Sequence, residues 1–338
     1  MIQTVKPIWR RWSAATVLTV TGWSLVGIGW LWVVLALSLF PAWPAWGRAA
    51  GALLWLGIGT MVWRKPLLRR KARTLILVGV VLVRLLWTIN QPSNERDWVP
   101  DQARVPTARF EGSAVTIRNV RHATYRTTSD FDVSWHDRKY DLGTVTTVDF
   151  VVEPFSRWPG LAHTFLTFGF EDGRHVAISV ETRREKGETF GLLKGMFRHF
   201  EIIYVVGDER DLIGLRANIR KNPVYVYPGR VTREQARALL TDMLKQANRL
   251  AEHPVFYHSI TNTCTTRVMD HVNRLRTDKM RFGWRTLLPA YSNALAWDLE
   301  LIDFDGSLDE ARQRFLINAR SVFGSDEDDW SAQIRAIE

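Results

Sequence analysis

Cys264 is the first residue with chemistry to offer. It is the one cysteine of the 338-residue sequence and lies in the run Ile-Thr-Asn-Thr-Cys-Thr-Thr, residues 260–266. A lone cysteine excludes an intramolecular disulfide. Thr261, Asn262 and Thr263 are residue types that cap helices, so Cys264 is expected in the first turn of a helix running to about Leu275. Unpaired backbone N–H groups and the positive end of the helix dipole favour a thiolate there. The same N–H groups, those of Asn262, Thr263 and Thr265 among them, can hold an oxyanion. The alternative is a buried structural cysteine.

A thiol nucleophile needs a base, and eight histidines compete. His271 lies two turns up the same helix, roughly 10 Å away by helical rise. His175 falls near a turn, and His258 precedes Cys264 by six residues. His122, His136, His199 and His253 have no patterned context. His163 opens the apolar run Ala162–Phe170, where a polar ring must be satisfied by something. Glu171, Asp172 and Gly173 make a turn signal between that run and Arg174–Glu181. A turn centred on Asp172 sets Glu181 across from His163, as a carboxylate that orients an imidazole or as an ordinary cross-strand pair. Arg183, Arg184 and Lys186 follow closely and are candidates to hold a phosphate, against a solvated basic loop. No Cys/His grouping has metal-site spacing, and no cofactor is expected.

The elements that must position these residues alternate in type. Ala114–Val120, Thr144–Val152, Ala162–Phe170, Arg174–Glu181, Ile202–Val206 and Val255–Ile260 read as strands. Val231–Glu252 reads as a helix with a Thr232/Gln235 capping box, closed by Pro254. Residues 91–109, with Pro92, Pro100 and Pro106, read as a linker. The acidic run Asp326–Asp329 suggests a solvated, frayed end to a tail spanning 306–338.

The formal charge of +10 is confined to one end. Residues 1–98 hold 12 Lys and Arg against 2 Asp and Glu, while the remainder holds 33 of each. A neutral soluble part argues against a nucleic-acid partner. Three apolar runs, about 13–40, 47–63 and 74–90, are expected to span a membrane, the third carrying Arg84. Gly57 and Gly59 read as helix-packing residues in the second run, not as a nucleotide loop. Tryptophans 9, 12, 43, 46, 63 and 87 suit interfacial belts. Basic clusters at Lys6, Arg10 and Arg11 and at Arg64–Arg73 point to the cytoplasm. Residues beyond 91 then lie outside it.

Four ordered motifs carry a resemblance. They are Ala-His-Thr-Phe-Leu-Thr-Phe-Gly-Phe from 162, Ile-Ser-Val-Glu-Thr-Arg-Arg-Glu from 178, Tyr-Val-Val-Gly-Asp-Glu-Arg-Asp-Leu from 204 and Thr-Asn-Thr-Cys-Thr-Thr from 261. Over about 97–302 the chain resembles the Lnb N-terminal periplasmic domain family, which is similar to permuted papain-like enzymes such as NlpC-type peptidases and lecithin retinol acyltransferase. The resemblance implies an α+β fold, with an antiparallel sheet and packed helices over 110–305, behind N-terminal transmembrane helices. It implies Cys264 as nucleophile, His163 as base and Glu181 as orienting group. It also implies a periplasmic domain that moves an acyl chain from a phospholipid to an amine such as a lipoprotein N-terminus, and the three apolar runs add an inner-membrane, multi-pass anchor, although the family's acyltransferases are tethered differently. Thr263 stands where related permuted enzymes often have Asn. An amidase or peptidase acting on envelope peptides, and a non-catalytic tethered binding domain, are the alternative readings.

Overall fold

The computed structural model describes residues 14–155, 158–323 and 327–336. Lys6, Trp9, Arg10, Arg11 and Trp12 of the sequence reading lie outside them. The described chain is α+β and divides into two compact units, residues 1–91 with 197–199 and residues 92–196 with 200–338.

The first unit is helical: α1 (Ala14–Ser38), α2 (Ala45–Arg64), the short α3 (Pro66–Arg69) and α4 (Ala72–Ile89). Among the described residues two stretches are long and apolar enough to cross a membrane, Thr21–Ser38 of α1 and Ala72–Ile89. The expected second span forms α2, but Arg48 lies inside this helix, and α2 is not among those two. Small residues let large ones close in. A Cβ at Gly59 would sit 2.5 Å from Trp30, and one at Gly79 2.5 Å from Trp55. Trp30 stacks on Trp55 at 4.9 Å and donates its indole N–H to the Trp55 carbonyl. Gly57 faces open space, so of the two glycines only Gly59 packs.

The second unit is built on one eight-stranded sheet in the order β1-β2-β7-β6-β5-β4-β8, with β3 paired to β2. The strands are β1 (Thr107–Glu111), β2 (Ala114–Tyr125), β3 (Phe131–Asp141), β4 (Val145–Pro154), β5 (Ala162–Phe170), β6 (His175–Arg183), β7 (Glu201–Gly207) and β8 (Tyr225–Pro228). The pairing is antiparallel except where Arg121 of β2 meets Gly207 of β7. β5 and β6 are apolar on both faces because both faces are covered. On one side lie α7 (Arg233–Glu252) and α8 (Cys264–Leu275). The apolar stripe of α7 recurs at helical spacing through Ala236, Leu239, Leu240, Met243, Leu244, Ala247 and Leu250. Its Thr232/Gln235 capping box is formed.

On the other side pack α6 (Glu209–Gly214), a π-helical turn Leu215–Ile219 and the C-terminal residues Ile317, Trp330 and Ile334, while α5 (Leu192–Met196) and the loop before it lie against Tyr257 and Phe200 on the α8 side. The short α9 (Trp284–Leu287), α10 (Ser292–Asp298) and α11 (Leu308–Phe315) complete the unit, and α12 (Glu327–Gln333) ends it.

Three expectations need correction. Residues 92–103 are no free linker: Arg183 fixes them to the sheet, donating to the carbonyls of Gln102 (2.9 Å) and Ala103 (3.0 Å) and to Asn94 Oδ1 (2.8 Å). The described residues of 306–336 are no frayed tail: Trp330 is fully buried, and Arg335 pairs with Asp149 (2.7 Å) and Glu209 (2.5 Å). Of the acidic run, Asp326 lies outside the described residues. Val255–Ile260 makes isolated bridges instead of a strand, with Phe256 against Glu201 and His258 against Asn262. Its residues turn to aim the chain into α8, and Ile260 and Thr261 donate their N–H groups to His258 Nδ1.

Candidate active site

Cys264 is the first residue of α8, and Thr263 caps the helix. Thr263 Oγ1 accepts from Thr266 N–H at 3.2 Å, and Thr263 N–H donates to Thr266 Oγ1 at 2.8 Å. The first-turn N–H groups have no acceptor within a helix. With that of Thr266 used by the cap, those of Cys264 and Thr265 are the ones left to serve a ligand. Asn262 and Thr263, expected at the oxyanion site, have their N–H groups spent otherwise: Asn262 N–H donates to the His258 carbonyl at 3.0 Å and Thr263 N–H to Thr266 Oγ1. Thr265 Oγ1 bonds Thr164 Oγ1 at 3.0 Å, tying α8 to β5 one residue from Cys264 and one from His163. Further along, His271 joins Tyr204 of β7 (2.6 Å) and Asp242 of α7 (2.6 Å), fixing the far half of α8.

His163 and Cys264 line one cavity of about 240 Å³, with Glu181, Arg184, Arg216 and Tyr257 also on its wall. The expected hairpin register holds from Gly169↔His175 to Phe165↔Ser179. It ends there, and His163 is paired with Glu153 of β4. Ser179 therefore stands between imidazole and carboxylate. His163 Nε2 lies 2.6 Å from Ser179 Oγ, and Ser179 Oγ donates to Glu181 Oε1 at 3.0 Å. A hydroxyl has one proton. Since it goes to the carboxylate, Ser179 must accept from His163 Nε2–H. That fixes the tautomer and leaves Nδ1 as the basic nitrogen.

Arg216 of the π-helical turn sets the charge. It pairs with Glu153 at 2.7 Å and Glu181 at 3.0 Å, and its guanidinium lies over Phe165, 4.9 Å from the ring centroid. Burial, then the Arg216 charge, push His163 down to about 3. The imidazole is neutral at physiological pH. For Glu181, burial acts upward, but Arg216 and Arg121 outweigh it and hold the carboxyl well below the usual range. Glu181 thus has its cation already. It orients His163 through Ser179 and does not form an ion pair with it. Burial, reinforced by the neighbouring thiol, raises the Tyr257 phenol above its ordinary value, so it remains an O–H donor on the cavity wall.

The basic residues divide. Arg184 lines the cavity. Arg183 is a correction: it is fully buried, bound to the 92–103 segment and stacked on Trp98 at 4.2 Å, with nothing left for substrate. Lys186 is a second correction, for it is exposed and paired with Asp97 at 2.6 Å. The sequence reading missed Ser179, Arg216, Tyr257 and Gln102. Gln102 Nε2 donates to Glu181 Oε2 at 3.2 Å, and its Oε1 accepts from Arg184 N–H at 2.9 Å. Only Ser179 had a local signal, two residues from Glu181 on one strand face. Among the described residues no group of His, Cys, Asp and Glu could hold a metal ion.

Residues 131–290 match the family model of the Lnb N-terminal periplasmic domain. The chain carries an Lnb-type domain. The match takes in His163, Ser179, Glu181, Arg216 and Cys264, and it leaves out Gln102 and the segments from 291 onward. No curated protein and no solved structure matches the chain. A periplasmic domain family and two candidate membrane helices together support anchoring of the Lnb-type domain at a membrane.

Proposed function

We propose that the Lnb-type domain is a thiol acyltransferase, anchored in the inner membrane with residues from about 91 onward in the periplasm. It takes an acyl chain from a phospholipid and gives it to an amine such as the N-terminus of a lipoprotein. The observation that carries the chemistry is one cavity lined by a cysteine at a capped helix N-terminus and by a neutral histidine held through Ser179. Cys264 Sγ attacks the ester carbonyl carbon as its proton passes to His163 Nδ1. The N–H groups at the start of α8 and the Tyr257 hydroxyl are the donors for the oxyanion. As the C–O bond breaks, His163 returns the proton to the leaving alcohol, giving a thioester. The amine then attacks, His163 takes its proton, the C–S bond breaks and the thiol is restored.

An adjoining cavity favours an acyl chain over a peptide. It is lined mainly by apolar side chains, among them Leu166, Leu239, Val268 and Leu295, and Thr286 forms part of both cavity walls. Thr265, next to Cys264, lies on its wall.

The test is intact mass spectrometry of the full chain after incubation with phosphatidylethanolamine. A fatty-acyl increment on wild type, absent from Cys264→Ala and accompanied by lysophospholipid, supports the reading. Transfer to an added diacylated peptide separates transferase from hydrolase, in which water resolves the thioester. No adduct and no lysophospholipid would overturn it.

A further inference from the structure

The first unit contains no acidic residue: residues 1–91 hold no Asp or Glu, and neither do residues 197–199. Its positive charge therefore has no counter-charge within the unit. Part of that charge surrounds a cleft of about 390 Å³ between α1 and the α3–α4 turn. Gly22, Trp23 and Val26 form one side, and Arg69, Arg70 and Arg73 the other. Arg69 is held by the Trp63 carbonyl, which accepts from Nε at 2.8 Å and from a terminal nitrogen at 2.6 Å. Arg73 lies against the backbone of Gly22, where a Cβ would come within 3.4 Å of its guanidinium. The N-cap of α4, Lys71, offers no side-chain cap, so the first N–H groups of that helix are left open to an anion.

We propose that this cleft binds the phosphate of an anionic membrane phospholipid. The position argues for a lipid over a free ion. The candidate span of α4 begins at Ala72, directly after the basic residues Arg69, Arg70 and Lys71, so the cleft lies where α4 enters the bilayer and headgroups are found. Basic clefts between membrane helices at that depth bind phosphate headgroups. Guanidinium groups suit phosphate through paired N–H donors. Trp23, 5.3 Å from Trp63, supplies the interfacial aromatic wall. The assignment is independent of the chemistry at Cys264.

Native mass spectrometry of the full chain in mild detergent tests it, with phosphatidylglycerol and phosphatidylcholine of equal acyl composition and inorganic phosphate as competitor. Wild type should retain one phosphatidylglycerol in preference to phosphatidylcholine, undisplaced by inorganic phosphate. Arg70→Gln with Arg73→Gln should weaken retention at least about tenfold. Gly22→Leu keeps every charge but fills the space beside Arg73, and it should weaken retention comparably with helix content unchanged. Arg64→Gln with Lys65→Gln removes the same charge away from the cleft and should change little. Equal retention of the two lipids overturns the proposal. So does wild-type retention in Gly22→Leu, an equal loss in the Arg64/Lys65 variant, or displacement by inorganic phosphate.

Discussion

Ser179 changes how the site works. With Glu181 paired directly to His163, imidazolium would be stabilised and a resting thiolate–imidazolium pair favoured. With Ser179 between them and Arg216 beside them, His163 rests neutral and carries a proton only in passing. Ser179→Ala frees the tautomer while Glu181 keeps Arg216 and Gln102. The acyl-transfer rate should fall on the order of tenfold to a hundredfold, for about 1 kcal/mol of stability. Rate and urea midpoint measured together check this. His163→Ala should cost about 10²–10⁴ in rate.

The low His163 value has a pH consequence. An unfolded histidine takes up a proton near pH 6.5, and the folded site refuses it until about 3. Stability from this residue is full above about pH 6.5 and is lost as pH falls toward 3. Urea midpoints of wild type and His163→Gln should therefore converge on acidification. The acid limb of the rate profile should lie well below pH 6.5 and move up in Arg216→Gln. An acid limb near 6.5 in wild type would remove Arg216 from the mechanism.

At the scale of elements, the segment 92–103 and helix α8 do the positioning. The segment is fixed at several points: Arg183 binds three oxygens and Trp98, Arg96 pairs with Glu185 and Glu201, and Asn94 donates to the carbonyls of Leu250 and Ala251. Its residue Gln102 then reaches Glu181. Arg183→Ala should destabilise the domain by about 2–4 kcal/mol and open residues 92–103 to limited proteolysis. It should also lower activity through Gln102. Resistance of that segment to protease in the variant would show that other contacts suffice. The two apolar strands and α7 were legible in the sequence, because period, capping box and turn residues are local signals. β1, β3 and β8 were not. β1 and β3 pair only with β2, and β8 is four residues long, so their pairing partners decide them more than their own patterns.

On the scale of the molecule, two units carry two kinds of instruction. The first has the apolar helices and the basic clusters that set orientation. An alkaline phosphatase reporter fused after Gln91 should be active only when exported. Activity confined to a cytoplasmic reporter at the same position would reverse the topology. The second unit is closed by its C-terminus. Trp330 and Ile334 join the core, and Arg335 binds Asp149 and Glu209. Truncation after Val322 strips both buried acids of their cation, so it should lower the unfolding midpoint by an amount equivalent to roughly 3–5 kcal/mol.

By itself the sequence determined the charge asymmetry, the apolar helices, the β5–β6 hairpin with its register, and Cys264 at a capped helix start. Each follows from residues within a few turns of one another. Only tertiary structure decided what surrounds His163. Ser179 faces it because the β5–β6 ladder ends at Phe165, Arg216 arrives from a π-helical turn on another element, and Gln102 comes from a segment whose prolines read as a linker. It also decided that neighbouring arginines have opposite fates. Arg183 ends β6 facing the protein interior and Arg184, just beyond it, faces the cavity.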